Sequence, residues 1–140
     1  MFTFQDETNI QQGYILVVDD ILDNCWMLET LLEMEGYKVK IAENGYEALD
    51  LIESHPPTLL LLDMMMPGIN GLEVAKIVRE NKRLPFIPIL MLTAWDNLAD
   101  FPDYESKIDG LIAKPIDFDK LFIKVESLLP SRKQELIEAF

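Results

Sequence analysis

LLLLDMMMPG (Leu59–Gly68) sets four leucines before one aspartate, three methionines and a Pro-Gly break. Four consecutive leucines leave no in-out alternation, so the strand they predict, Thr58–Asp63, is buried on both faces. Such strands belong to parallel sheets covered by helices. The aspartate at its end has two readings. It is either a turn former or a carboxylate delivered rigidly to the edge of the sheet.

The segments on either side fit the same architecture. YILVVDD (Tyr14–Asp20) is a short apolar run ending in acids, a second buried strand. NCWMLETLLEMEGY carries Leu28, Leu31 and Leu32 with a glycine stop at Gly36, and reads as a helix. KVKIA is a short alternating strand. Asn44 and Asn70 each precede a helical pattern with a glutamate three places on, Glu47 and Glu73, which is the capping-box signature. IPILMLTA and DGLIAKP supply two more strands, and Asp117 caps a helix over DFDKLFIKVESLL. Strands alternating with helices predict an α/β doubly wound sheet of five parallel strands, with helices on both faces. Between Thr93 and Lys114 a fourth helix is expected, irregular because Pro102 falls inside it. After Pro130, Ser131 and Gln134 predict a capped C-terminal helix carrying Leu136, Ile137 and Phe140.

Bulk properties narrow the function. The 140 residues make one domain's worth of chain. Twelve basic residues against 25 acidic give a net charge of −13, which repels phosphate backbones and argues against direct nucleic-acid binding. Asp63 interrupts the central apolar run far short of the roughly 20 residues of a membrane span. The N-terminal stretch has no secretory signal pattern. The single cysteine, Cys25, excludes an intrachain disulfide and fits a cytoplasmic location. One histidine, His55, excludes a multi-histidine metal site and reads as a solvated helix-end residue.

In an open parallel sheet, ligands bind beyond the carboxyl ends of the strands. Those ends carry Asp19 and Asp20, then Asp63, Thr93 and Lys114. Taken singly, Asp20 reads equally well as a helix cap and Asp63 as a turn residue. Gathered at four strand ends, three carboxylates, a hydroxyl and an amine make chance a poor account. Three close carboxylates repel unless a cation sits among them, and oxygen-only ligands suit Mg²⁺ (or Mn²⁺). An aspartate nucleophile accepting a phosphoryl group fits this set, with Asp63 attacking, Asp19 and Asp20 holding metal, and Thr93 and Lys114 contacting phosphoryl oxygens.

VVDD, LLLLDMMMPGINGLE, MLTA and LIAKP, taken in order, closely resemble the receiver domain of two-component response regulators. The resemblance covers about Tyr14 to Leu129. It divides the chain into an N-terminal arm (1–13), a receiver (14–129) and a C-terminal extension (130–140). It implies a flavodoxin-like sheet of order 2-1-3-4-5 and Mg²⁺-dependent phosphorylation of Asp63. It further implies that the carbonyl of Met65 joins Asp20 and Asp63 on the metal, Asp19 acting mainly through water, and that the peptide before Pro115 is cis. The phosphoryl donor it implies is a sensor histidine kinase or a histidine phosphotransfer protein, and the output is contact with a downstream protein. With Met1 at the start and about ten residues after the receiver, a stand-alone chain is expected, monomeric or weakly dimeric.

Several positions depart from the family pattern. Leu111 stands three before the lysine, where the family usually has an aromatic residue that swings inward on phosphorylation. Pro102, and the missing Gly-Ala before the fifth strand, disturb the same face. Met65 and Trp95, two after the acceptor and two after the threonine, flank the path of the hydrolytic water in the family. Neither side chain orients a water, so slow self-dephosphorylation is expected. A haloacid-dehalogenase-type phosphatase also uses an aspartate after a strand, but normally places a second aspartate two residues on, where this chain has Met65.

Overall fold

The computed structural model describes residues 13–94 and 103–129. Five strands, β1 (Ile15–Val18), β2 (Val39–Ala42), β3 (Leu59–Asp63), β4 (Ile89–Thr93) and β5 (Gly110–Ala113), form one parallel sheet of order β2-β1-β3-β4-β5. Every residue of β1, β3 and β4 is buried, as strands covered on both faces require. The edge strands β2 and β5 are only partly covered.

Among the described residues four helices cover the sheet: α1 (Leu22–Met34), α2 (Gly45–Ser54), α3 (Gly71–Glu80) and α4 (Phe118–Leu128). Strand side chains alternate between two cores. Leu16, Val18, Leu60, Leu62, Ile89 and Met91 pack with Ala48 and Ile52 of α2 and Val74, Ala75 and Val78 of α3. Ile15, Val17, Leu59, Leu61, Leu90 and Leu92 pack with Cys25, Leu28 and Leu32 of α1 and Leu121 and Val125 of α4. The four leucines of the central strand therefore feed both cores. Burying a leucine side chain contributes about 2 kcal/mol, so β3 anchors the sheet.

Asn70 and Glu73 form a complete capping box on α3; at α2 the Asn44 side chain accepts from the Glu47 N–H at 2.8 Å. Asp117 accepts the N–H groups of Asp119 and Lys120 at the start of α4. Each such cap contributes about 1 kcal/mol. Helix α1 begins at Leu22, two residues earlier than NCWM suggests, and has no side-chain cap, so Asp20 is not a capping residue. Gly36, with φ of +94°, ends the chain's helical course, a conformation that favours glycine.

Between β4 and β5 the described residues contain only a 3₁₀ turn, Tyr104–Ser106. Trp95 and Pro102 lie outside the described residues, as do most of the N-terminal arm and the C-terminal extension with its expected helix. Among the described residues no helix is long and apolar enough to cross a membrane.

Candidate functional site

The parallel register brings the strand ends together. Val18 pairs with Leu62, Asp63 with Leu92 and Thr93 with Ala113, so the residues after β1 and at the ends of β3, β4 and β5 share one edge. Asp19, Asp20 and Asp63 each offer a carboxylate oxygen, and the three oxygens lie within 4.8 Å of one another. Asp19 and Asp63 are buried and Asp20 is exposed, so the cluster opens to solvent on one side.

The amine completes the set. Lys114 Nζ lies 3.0 Å from Asp63 Oδ1 and 4.0 Å from Asp19 Oδ2. One ammonium thus stands beside two of the three carboxylates. Burial pushes the Asp63 pKa up; the hydrogen bond and charge of Lys114 pull it down, Asp19 pushes it up again, and the Met65 peptide N–H lowers it. The net shift is upward, so Lys114 does not offset burial together with the charge of Asp19. The remaining deficit of positive charge, the hard oxygen donors and the solvent-facing Asp20 suit a small divalent cation that keeps some of its waters.

Asp19 is also held from behind. Its carboxylate accepts the Ile21 N–H at 2.9 Å and Asn24 Nδ2 at 3.2 Å, which ties it to the start of α1. The Cys25 Sγ lies 3.3 Å from the Asp19 carbonyl, and burial pushes that thiol up to about 11, so it behaves as packing. Gly71 opens α3 directly under the acceptor loop, its N–H donating to the Met64 carbonyl at 2.8 Å. A Cβ there would stand 2.3 Å from the Asp63 carbonyl oxygen, so no other residue fits without moving Asp63.

Thr93 is buried beside the cluster, but its hydroxyl points elsewhere. Oγ1 lies 3.3 Å from Met64 Sδ and 3.1 Å from the Ala94 carbonyl oxygen. Nothing in the sequence signals this parking of the hydroxyl against a thioether. Met65 is half exposed on the acceptor loop, whereas Met64 and Met66 are buried. Leu111 pairs with Met91 and packs, half buried, on the core shared by α2 and α3. The Lys114–Pro115 peptide is cis. His55 caps the end of α2, its carbonyl accepting the Tyr14 hydroxyl, at the opposite end of β1 from the cluster.

Residues 15–126 match the family model of the response regulator receiver domain. Over 115 residues the chain is 39% identical to the response regulator PleD of Caulobacter vibrioides, an alignment covering 81% of this chain and 25% of that protein. It is 38% identical over 122 residues to the response regulator MprA of Mycobacterium avium, covering 86% of this chain and 53% of that one. The chain thus spans between a quarter and about half of these relatives. Among solved structures, the response regulator TrrA of Thermotoga maritima, in complex with Mg²⁺-BeF, superposes with a TM-score of 0.75 at 39% identity, covering 84% of this chain and 99% of that one. A putative response regulator from Chloroflexus aurantiacus gives 0.78 at 35% identity, covering 86% and 100%. With an acidic cluster at the switch edge of a 2-1-3-4-5 sheet, and with these relatives, the chain belongs to the receiver domain family of response regulators.

Proposed function

We propose that this receiver takes a phosphoryl group onto Asp63 from the phosphohistidine of a sensor kinase or histidine phosphotransfer protein. A carboxylate oxygen of Asp63 bonds to phosphorus as the phosphorus–nitrogen bond breaks, and the departing imidazole nitrogen takes a proton. The observation that carries this reading is the triad of carboxylate oxygens within 4.8 Å, with Lys114 Nζ 3.0 Å from Asp63. Asp19, Asp20, Asp63 and the Met65 carbonyl would hold Mg²⁺ (or Mn²⁺). When bound, the cation supplies neutralisation of charge on the phosphoryl oxygens. Lys114 holds one of those oxygens by charge. The Thr93 hydroxyl reaches another after leaving its contacts with Met64 Sδ and the Ala94 carbonyl oxygen.

The aspartyl phosphate is long-lived, because Met65 and Trp95 offer no group that orients an attacking water. The receiver is residues 14–129, with 1–13 and 130–140 as flanking segments, and it signals by contact with a downstream protein in the cytoplasm. Incubation with acetyl phosphate and Mg²⁺, followed by intact-mass measurement, tests the assignment. The expected result is one added phosphoryl group in the native protein and none in Asp63→Asn. Equal incorporation in both would overturn it, and decay of the adduct within seconds would overturn the long lifetime.

A further inference from the structure

The amino edge of the β4–β5 pair, opposite the acidic cluster, is gathered by one side chain. Arg79, near the end of α3, donates from Nη1 to the Ile87 carbonyl at 2.7 Å and from Nε to the Lys107 carbonyl at 3.2 Å. Its Nη2 meets Asp109 Oδ2 at 2.5 Å, and the guanidinium carbon stands 5.1 Å from the centre of the Phe86 ring. Asp109 in turn binds Ile89 twice, its N–H donating to the Ile89 carbonyl and its carboxylate accepting the Ile89 N–H, both at 2.8 Å. One planar fork therefore joins α3, the approach to β4 and the entry to β5. Lysine has no such geometry, since its single ammonium cannot face three separated acceptors in a plane.

The placement bears on the site. Strand β5 is an edge strand, hydrogen-bonded to β4 alone and less buried than any strand between β1 and β4 in the sheet. Among the described residues only a three-residue 3₁₀ turn lies between β4 and its entry. Its four residues lead straight to Lys114, whose N–H is held by the Thr93 carbonyl at 2.8 Å. The strand is thus pinned at both ends, by Thr93 at one and by the Arg79–Asp109 fork at the other. An edge strand pinned at one end frays and slides from the other, and its last side chain moves with it.

We propose that Arg79 is a positioning residue for the phosphoryl-transfer site: by fixing the entry of β5 it sets the reach of Lys114 toward Asp63. The inference rests on the phosphoacceptor reading above. Asp19 and Asp20 follow β1 and Asp63 ends β3, strands that Arg79 does not touch, so metal binding is spared while the lysine is displaced.

The test compares full-length wild type with Arg79→Met, Arg79→Lys, Asp109→Asn and a control, Ile52→Val, which loosens the core through α2 without touching β5. Three quantities are measured: phosphorylation rate from acetyl phosphate, Mg²⁺ affinity by calorimetry, and amide exchange over residues 110–114. Arg79→Met is expected to phosphorylate about 10-fold more slowly, to keep its Mg²⁺ affinity within about twofold, and to exchange faster in β5. Arg79→Lys behaves the same way, and Asp109→Asn in the same direction but less. Ile52→Val loses thermal stability without either change. The inference is overturned if Arg79→Met keeps the wild-type rate, if the control slows as much, or if Arg79→Lys restores the rate. A folded wild type that takes up no phosphoryl group overturns the reading of the site as well, which separates the two failures. Should Arg79→Met not fold, Arg79→Lys and Asp109→Asn decide the matter by the same measurements.

Discussion

At the carboxyl edge of the sheet three carboxylates crowd together with one ammonium beside two of them, and burial pushes the central acid toward protonation. At the amino edge one carboxylate, Asp109, meets a guanidinium fork and a peptide N–H, and the charges balance. The carboxyl edge draws its acids from the ends of β1 and β3 and its lysine from the end of β5, whereas the amino edge draws on α3 and on the entries to β4 and β5. The difference is the ratio of acceptors to donors. An edge with surplus acceptors is set up to bind a cation or react, whereas a balanced edge holds the chain in place.

The largest effect that would break this comparison concerns chemistry. Asp63→Asn should lower phosphoryl incorporation by at least about 100-fold in intact-mass assays, while Asp109→Asn leaves the same group able to form. Next comes stability, where the two edges should respond with opposite signs. Asp109→Ala strands part of the Arg79 fork and is expected to cost about 2 kcal/mol in urea unfolding. A smaller stabilisation should come from metal. Mg²⁺ at ten times its dissociation constant should add about 1.4 kcal/mol to the wild type, and Asp20→Ala should lose most of that gain in thermal melts.

The smallest effect is the pH dependence of Asp63→Asn. Burial and Asp19 raise the folded-state pKa of Asp63 above its unfolded value, so ionising it costs stability as pH rises through that window. Asparagine carries no such penalty. The variant should therefore be more stable than wild type near neutrality, with the advantage vanishing below about pH 4. A variant less stable than wild type at pH 7 would show that Lys114 already neutralises the cluster, and the contrast between the edges would collapse.

The carboxyl edge was legible in the sequence because its residues announce themselves. Asp19, Asp63, Thr93 and Lys114 each follow an unbroken apolar run, and parallel topology then places them together. The amino edge was not legible. Arg79 and Asp109 are 30 residues apart, on a helix flank and in a loop, and neither position has a pattern that marks it. The hydroxyl of Thr93 was likewise hidden, since a rotamer directed at Met64 Sδ depends on packing rather than on spacing. Asp20 shows the limit in another form: an acid before a helix reads as a cap, yet α1 begins at Leu22 with apolar Ile21 in the cap position and no side-chain cap.

Gly71 carries a last consequence. Its missing side chain is the only thing that lets α3 lie against the backbone of Asp63 and Met64. In a deep substitution scan, the acid should accept isosteric replacements that fold but stay silent, whereas this glycine should accept nothing. The least forgiving position at the site would then be one that contributes no atom to its chemistry.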